Sequence, residues 1–228
     1  MKKYKTLLFD ADDTLLDFGT TESFALRKLF EEQNMTLTQE IELHYKQLNK
    51  RLWKSFEEGK LTREEVVNSR FTILFSEYNQ KVDGVILEGA YRTYLDQGHH
   101  LVEGALQLLT RLQNDFDLYV VTNGVSKTQH KRLRDSGISP LLKGIFVSED
   151  AGFQKPRREF FDYVFTRIVN FSSDQTMIIG DSLHADIKGG NLAGIDTCWF
   201  NPDKNQNDSD INPTYQIQKL ADLYQILI

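Results

Sequence analysis

Short apolar segments alternate with amphipathic stretches along most of the chain, and this alternation is the feature that most constrains its fold. The apolar segments that predict strands are residues 6–9, 118–121, 144–147, 177–179 and 197–200. The helical patterns that separate or follow them lie at 103–114, 126–136, 157–168, 184–193 and 216–227. Strands buried on both faces are continuously apolar, as these segments are, and their alternation with helices is typical of an α/β fold with a parallel sheet.

Residues 17–97 interrupt the alternation, because only helical patterns are found there. These patterns lie near 20–33, 38–58, 62–79 and 84–97. The second pattern places apolar residues at steps of three or four, as on one helix face, at Ile41, Tyr45, Leu48, Leu52 and Phe56. Thr62 followed by Glu65 is typical of a capping box at a helix start. The sequence therefore predicts an all-helical domain at 17–97, inserted into an α/β core formed by 1–16 and 98–228.

Composition and charge exclude several classes of protein. The 33 acidic residues exceed the 27 basic ones, and a net charge of -6 would repel a long polyanion such as a nucleic acid. A single cysteine, Cys198, excludes an intrachain disulfide framework and a multi-cysteine zinc site. The first apolar run stops at Asp10, too early for a secretion signal, and no stretch approaches the roughly 20 apolar residues of a membrane span. We therefore expect a cytoplasmic protein without a membrane partner or a long nucleic-acid partner.

Acidic residues follow two of the predicted strands directly. Asp10 and Asp12 follow the first strand, and residues two apart in an extended chain face the same side. Asp181 follows the fourth strand, and the ligand crevice of an open α/β sheet lies at such strand ends. A divalent cation or a shared proton relieves the repulsion between close carboxylates. Mg²⁺ suits Asp10 and Asp181 because it takes oxygen ligands including one or two carboxylates. The alternative for the first cluster, and our interpretation of Asp13, is a turn or helix cap.

Three weaker signals accompany these acids. Asp186 lies in the first turn of a predicted helix, where it either favours the helix dipole or orients a metal-bound water or a lysine. The segment 122–124 ends a strand and opens a helix, so its hydroxyl, amide and backbone N–H groups predict an anion site; an ordinary Asn-Gly turn is the alternative. Lys155 precedes Pro156 in a segment biased away from helix; taken alone, it is expected to be a solvated surface lysine, and a functional role is the alternative.

Four of these features together resemble the haloacid dehalogenase-like hydrolase superfamily: the pair Asp10 and Asp12, the segment 122–124, Lys155, and the cluster that contains Asp181 and Asp186. Residues 10–14, Asp-Ala-Asp-Asp-Thr, match the phosphatase pattern Asp-x-Asp-x-Thr of its first motif. Thr122, Lys155 and the pattern Gly-Asp-x-x-x-x-Asp at 180–186 match its second, third and fourth motifs in family order. The helical segment 17–97 lies where that superfamily carries a helical cap of the C1 type. Four short segments carry a narrower resemblance: Val-Thr-Asn-Gly-Val at 121–125, Gly-Phe-Gln-Lys-Pro at 152–156, Ala-Asp-Ile-Lys-Gly-Gly at 185–190 and Cys-Trp-Phe-Asn-Pro at 198–202. They look like the corresponding segments of the bacterial pyrimidine 5'-nucleotidases.

The resemblance implies a Rossmann-like core and a Mg²⁺-dependent phosphomonoester hydrolase with an aspartyl-phosphate intermediate. Asp10 would be the nucleophile, and Asp12 would protonate the leaving alkoxide and then activate water. Mg²⁺ would be held by the carboxylates of Asp10 and Asp181 and by the backbone carbonyl of Asp12. The phosphoryl oxygens would be held by Thr122, Asn123, Gly124 and Lys155. Asp186 would support these groups without touching the substrate.

The substrate that the resemblance implies is a nucleoside 5'-monophosphate, with pyrimidines preferred. A sugar-phosphate phosphatase or phosphomutase of the same superfamily is the alternative, because a phosphomutase shares the acid pair and the cap. Asp12 argues against carbon–halogen chemistry, since a dehalogenase normally lacks this second acid. A phosphoacceptor signalling domain is an alternative from a different class, because it also combines acids, a Thr and a Lys with Mg²⁺. The Asp-x-Asp order and the large insertion favour the enzyme.

Overall fold

The structure, a computed structural model, describes residues 3–227, and its strands form a parallel sheet. The strands are β1 (Thr6–Phe9), β2 (Asp117–Thr122), β3 (Gly144–Val147), β4 (Thr176–Gly180), β5 (Asp196–Phe200) and β6 (Tyr215–Ile217). Within the described residues they make one six-stranded sheet in the order β3-β2-β1-β4-β5-β6, and every neighbouring pair is parallel. This is the strand order of a Rossmann-like fold, so the predicted fold class is confirmed.

The described residues divide into two compact units, of which Gly19–Gly98 is helical. Its helices are α1 (Phe18–Glu32, which begins one residue before the unit), α2 (Gln39–Glu57), α3 (Arg63–Glu77) and α4 (Gly84–Leu95). The Thr62 side chain accepts a hydrogen bond from the Glu65 backbone while the Glu65 carboxylate accepts one from the Thr62 backbone, so the predicted capping box starts α3. None of the helices that the structure describes has the length and apolar character needed to cross a membrane.

A buried hydrogen-bond network joins the four helices of the helical unit. Arg70 on α3 is 1% exposed, and its Nε donates to Glu88 Oε2 of α4 at 2.9 Å. Its Nη1 donates to Asn49 Oδ1 of α2 at 3.1 Å, and Asn49 Nδ2 donates to Glu22 Oε1 of α1 at 2.7 Å. Buried charges are tolerated only when they are paired in this way, so the network fixes the packing of the unit.

The described residues up to Phe18 and from His99 onward form the core unit around the sheet. Its helices are α5 (Ala105–Leu112), α6 (Ser126–Asp135), α7 (Ser148–Ala151), α8 (Arg158–Phe165), α9 (Lys188–Ala193) and α10 (Leu223–Leu227). Alternate strand residues face opposite sides of the sheet. Leu7 and Phe9 of β1 join one buried cluster with residues of α5 and α10, while Leu8 joins a second cluster with residues of α8 and α9. The sheet is therefore buried on both faces, as its apolar strands require.

The C-terminal segment differs from the sequence prediction. A helix was expected over 216–227, whereas the structure has the strand Tyr215–Ile217, a 3₁₀ turn at Leu220–Asp222 and then α10. The strand has three residues and exposes Gln216, so it lacks the continuous apolar run that identified the others. Leu220, Leu223 and Leu227 do face the core, but they belong to the 3₁₀ turn and to α10 and not to one continuous helix.

Candidate active site

The carboxyl ends of three adjacent strands carry the acids and the threonine singled out in the sequence. Asp10 directly follows β1, Thr122 is the last residue of β2, and Asp181 directly follows β4. Strand β1 pairs with both β2 and β4, so these residues leave the sheet at the same edge. The direction of chain progression across the sheet reverses between β1 and β4. In open α/β sheets, ligands bind outside the carboxyl ends of the strands at such a reversal.

Three carboxylates form a cluster at this edge. Asp10, Asp181 and Asp186 each offer an oxygen, and these oxygens all lie within 4.8 Å of one another. Asp10 and Asp186 are buried and Asp181 is half-buried. Asp186 lies in a π-helical turn, Leu183–Ile187, and its Oδ2 accepts a hydrogen bond from the Ser182 backbone at 3.1 Å.

Gly180 makes room for the Asp186 carboxylate. A Cβ atom at Gly180 would lie 2.2 Å from Cγ and from Oδ2 of Asp186, a distance that real Cβ contacts do not reach. Gly180 is therefore required because its lack of a side chain leaves space for the Asp186 carboxylate beside Asp181. Any side chain there would displace Asp186 from the cluster.

Lys155 is the cation of the cluster. Its Nζ lies 2.6 Å from Asp10 Oδ1, 2.6 Å from Asp186 Oδ1 and 2.7 Å from the backbone oxygen of Val121. The residue is 1% exposed, so the expectation of a solvated surface lysine is wrong. Of the two interpretations of Asp186, the structure favours the one in which it orients a lysine.

The electrostatics of the cluster suit a divalent cation. Burial raises the pKa of the Asp10 carboxyl to about 8, although the Lys155 ammonium acts in the opposite direction. Burial and the charge of Asp10 raise the pKa of Asp181. Burial lowers the pKa of Lys155, but Asp10 and Asp186 outweigh this and hold it above its ordinary value. Three carboxyl groups thus face one ammonium, and their oxygens are ligands of the hard kind that Mg²⁺ takes.

Asp12 is held by two residues of α6. Arg132 Nη1 donates to Asp12 Oδ1 at 2.5 Å, and Gln129 Nε2 donates to Asp12 Oδ2 at 2.8 Å. Both partners are 1% exposed. The sequence reasoning missed Gln129 and Arg132, although a signal was present. A helix that follows a strand in an α/β fold must bury one face, and on α6 these polar residues share the buried face with Leu133.

The segment after β2 holds Thr122 and the loop of Lys155. Thr122 Oγ1 accepts hydrogen bonds from the Gly124 backbone at 3.2 Å and from Gln129 Nε2 at 2.8 Å. Asn123 Nδ2 donates to the Lys155 backbone oxygen at 3.0 Å, and Asn123 Oδ1 accepts from the Lys155 backbone nitrogen at 2.9 Å. Asn123 thus fixes the backbone of Lys155. The contacts of Asn123 and of Gly124 with a phosphoryl group stay predictions.

Two further residues contact Asp181. Trp199 Nε1 donates to the Asp181 backbone oxygen at 2.8 Å, and Thr14 Oγ1 lies 3.5 Å from Asp181 Oδ1.

Asp13 adopts a left-handed backbone with φ of 55°, and its Oδ1 accepts from the Phe18 backbone at 3.1 Å. Asp13 is therefore a turn residue, as its interpretation from the sequence stated.

The strand order and the acidic cluster define the class of protein: a Rossmann-like α/β protein with a carboxylate-rich site suited to a divalent cation. The chain belongs to the haloacid dehalogenase-like hydrolases, whose family model matches residues 4–194. The family resemblance drawn from the four motifs is thereby confirmed.

Relatives match over nearly the whole chain. YfnB of Bacillus subtilis (strain 168), named as a HAD-hydrolase, is 60% identical over 227 residues, which is 100% of this chain and 97% of that protein. The crystal structure of YfnB bound to magnesium, which is reported to reveal interdomain movement, has a TM-score of 0.95 and coverage of 99% of both chains. The pyrimidine 5'-nucleotidase PynA of Streptococcus pneumoniae (strain ATCC BAA-255 / R6) is 43% identical over 98% of this chain and 95% of its own length. The pyrimidine 5'-nucleotidase YjjG of Escherichia coli (strain K12) is 30% identical over 99% of this chain and 98% of its own length.

Proposed function

We propose that this hydrolase removes phosphate from nucleoside 5'-monophosphates, preferring pyrimidines, in a Mg²⁺-dependent reaction with an aspartyl-phosphate intermediate on Asp10. The observation that carries the proposal is the ammonium of Lys155, 2.6 Å from both Asp10 and Asp186 within a cluster of three carboxylates. A buried, cation-paired carboxylate at the reversal point of the sheet suits a nucleophile that must meet a phosphate anion. The names of two relatives, PynA and YjjG, support the substrate class.

In this mechanism, the chain supplies a nucleophile, an acid and base, and anion ligands. Asp10 attacks phosphorus in line with the leaving oxygen, and Asp12 gives a proton to the departing alkoxide. Asp12 then takes a proton from the water that hydrolyses the aspartyl-phosphate, which releases inorganic phosphate and restores both carboxyl groups. Phosphoryl transfer depends mainly on positioning and charge neutralisation, which Lys155 and Thr122 would provide.

The acidic cluster fits the cation that the family resemblance implies. Asp10, Asp181 and the backbone carbonyl of Asp12 would hold Mg²⁺, with Asp186 directed to Lys155 instead. When bound, Mg²⁺ neutralises carboxylate and phosphoryl charge, so that the anionic substrate can approach the anionic nucleophile. The magnesium-bound crystal structure of the 60% identical YfnB supports this choice of metal.

We further propose that the helical segment 17–97 is a cap domain that selects the substrate, and the compact helical unit Gly19–Gly98 supports this proposal. Enzymes of this kind exclude water by domain closure before the chemical step. The interdomain movement reported for YfnB supports a mobile cap.

The test is release of inorganic phosphate from a panel of nucleoside monophosphates and sugar phosphates, with Mg²⁺ and with EDTA. We expect turnover with Mg²⁺, and higher kcat/KM for uridine, deoxyuridine and cytidine 5'-monophosphates than for adenosine 5'-monophosphate. Asp10→Asn should lower kcat at least about 10³-fold, as removal of a nucleophile does. Asp13→Asn is the matched control, because asparagine tolerates a left-handed backbone and can accept the same turn hydrogen bond.

Three outcomes would contradict the proposal at different points. Absence of phosphate release from every substrate would exclude the phosphatase. Isomerisation of a sugar phosphate without phosphate release, in the presence of an activating bisphosphate, would identify a phosphomutase. A stable phosphoprotein without turnover would identify a phosphoacceptor domain.

A further inference from the structure

Gln129 occupies a fixed place in the hydrogen-bond network around Asp12. Arg132 Nη1 donates to Gln129 Oε1 at 3.1 Å, and an arginine can only donate, so the amide oxygen must face Arg132. The amide nitrogen of Gln129 therefore faces the other way, where it donates both to Asp12 Oδ2 at 2.8 Å and to Thr122 Oγ1 at 2.8 Å. One side chain thus contacts the groups proposed as the acid and as a phosphoryl ligand.

The same network determines where the Thr122 hydroxyl proton points. Thr122 Oγ1 accepts from Gln129 and from the Gly124 backbone, which uses both of its acceptor positions. Its own hydrogen must then be donated elsewhere. Gln129 therefore converts the hydroxyl into a donor, which is the polarity needed to bind a phosphoryl oxygen.

Arg132 and Gln129 also hold both oxygens of Asp12. Arg132 binds Oδ1 at 2.5 Å and Gln129 binds Oδ2 at 2.8 Å, so rotation of the carboxylate would break a hydrogen bond on each side. Arg132 is itself fixed, being 1% exposed with its guanidinium 5.7 Å from the centre of the Phe18 ring. An aspartate that only stabilises a turn does not need two buried donors from one helix face. An acid whose carboxyl group must keep one orientation toward the substrate does need them.

We propose that Gln129 and Arg132 are positioning residues that direct the Asp12 carboxyl toward the leaving oxygen and set Thr122 as a hydrogen-bond donor. The proposal rests on the proposed function, in which Asp12 protonates the leaving group. Its consequence is selective. Loss of Gln129 or Arg132 harms substrates whose leaving group needs a proton more than substrates whose leaving group does not.

The experiment compares kcat/KM for uridine 5'-monophosphate and for p-nitrophenyl phosphate. The first leaves as an alkoxide that needs protonation, while nitrophenolate leaves without it. General acid catalysis contributes about 10²–10⁴-fold, so a misdirected acid should lower kcat/KM for the nucleotide about 10- to 100-fold. For the nitrophenyl ester, the fall in kcat/KM should be about tenfold smaller than for the nucleotide. The variants are Gln129→Glu, which replaces the donor facing Asp12 by an acceptor, and Arg132→Met; Arg132→Lys should recover part of the loss.

Arg134→Met is the matched control, because Arg134 lies on the same helix with its side chain 68% exposed. Its ratio of nucleotide to nitrophenyl kcat/KM should stay at the wild-type value. Equal losses on both substrates, or no loss, in the Gln129 and Arg132 variants would overturn the inference while leaving the phosphatase intact. Failure of the wild-type protein to release phosphate from either substrate would instead overturn the proposed function. Circular dichroism checks folding, and Gln129→Met replaces Gln129→Glu if the added charge unfolds the chain.

Discussion

Replacing Lys155 by methionine removes the ammonium of the acidic cluster while keeping the length of the side chain. The substitution leaves Asp10, Asp186 and the Val121 carbonyl without the donor that lies 2.6–2.7 Å from each. Removing one partner of a buried ion pair costs about 3–5 kcal/mol. For a chain of 228 residues, each kcal/mol lowers Tm by about 2–4 °C, so the expected fall is about 6–20 °C.

The pH at which this loss is measured decides its size. Burial already raises the pKa of Asp10 to about 8 in the presence of Lys155, and removal of the ammonium raises it further. A carboxyl whose pKa is higher in the folded state stabilises the fold at low pH, and that stability is lost as the pH rises through the folded pKa. At pH 6 the Asp10 carboxyl is protonated, so the loss of stability in the variant lies near the lower limit of about 3 kcal/mol. At pH 9 the loss approaches the upper limit of about 5 kcal/mol.

The assay is thermal unfolding by circular dichroism in EDTA at both pH values. Lys131→Met is the matched control, because Lys131 forms an exposed pair with Asp135 and its loss should cost at most about 1 kcal/mol. Adding Asp186→Asn to Lys155→Met should restore part of the stability, since one uncompensated carboxylate is removed. A Tm change no larger than that of the control, or one that does not grow with pH, would refute the electrostatic account of the cluster.

Three further perturbations test other parts of the structure. Mg²⁺ should raise Tm more at pH 8.5 than at pH 5.5, because it must displace the proton that Asp10 holds below a pKa of about 8; equal stabilisation in a thermal-shift assay would contradict this. Gly180→Ala should cost about 1–3 kcal/mol and lower phosphate release, because the new Cβ would lie 2.2 Å from the Asp186 carboxyl; unchanged kcat would contradict the packing argument. Arg70→Met should cost about 3 kcal/mol in urea unfolding by leaving Glu88 underpaired, and Glu88→Gln in the same chain should recover part of it; additive losses would contradict the coupling.

Sequence reasoning predicted the central strands because they are buried on both faces, which leaves a continuous apolar run such as residues 6–9. It missed β6 because a three-residue strand with an exposed middle residue has no such run. The location of Asp10 and Asp181 was predictable, since strand ends in a parallel sheet meet at one edge.

The contacts between side chains were less accessible to sequence reasoning. Whether Lys155 was a surface residue depended on the position of its loop relative to Asp10, which lies 145 residues away. Gln129 and Arg132 have no motif of their own, and their importance appears only once Asp12, more than 100 residues earlier, is placed beside α6. Spacing along the chain carries no information about such distant pairs.

The central position of β1 has a consequence for how the chain is made. β1 comprises residues 6–9, but its neighbours in the sheet are β2 and β4, which end at Thr122 and Gly180. During synthesis from the N-terminus, the first strand leaves the ribosome without either partner, while the helical unit Gly19–Gly98 has all of its own contacts within one continuous segment. Local contacts form faster than distant ones. We therefore expect the helical unit to fold on the nascent chain first, and the acidic cluster to be completed only after Asp186 has been translated.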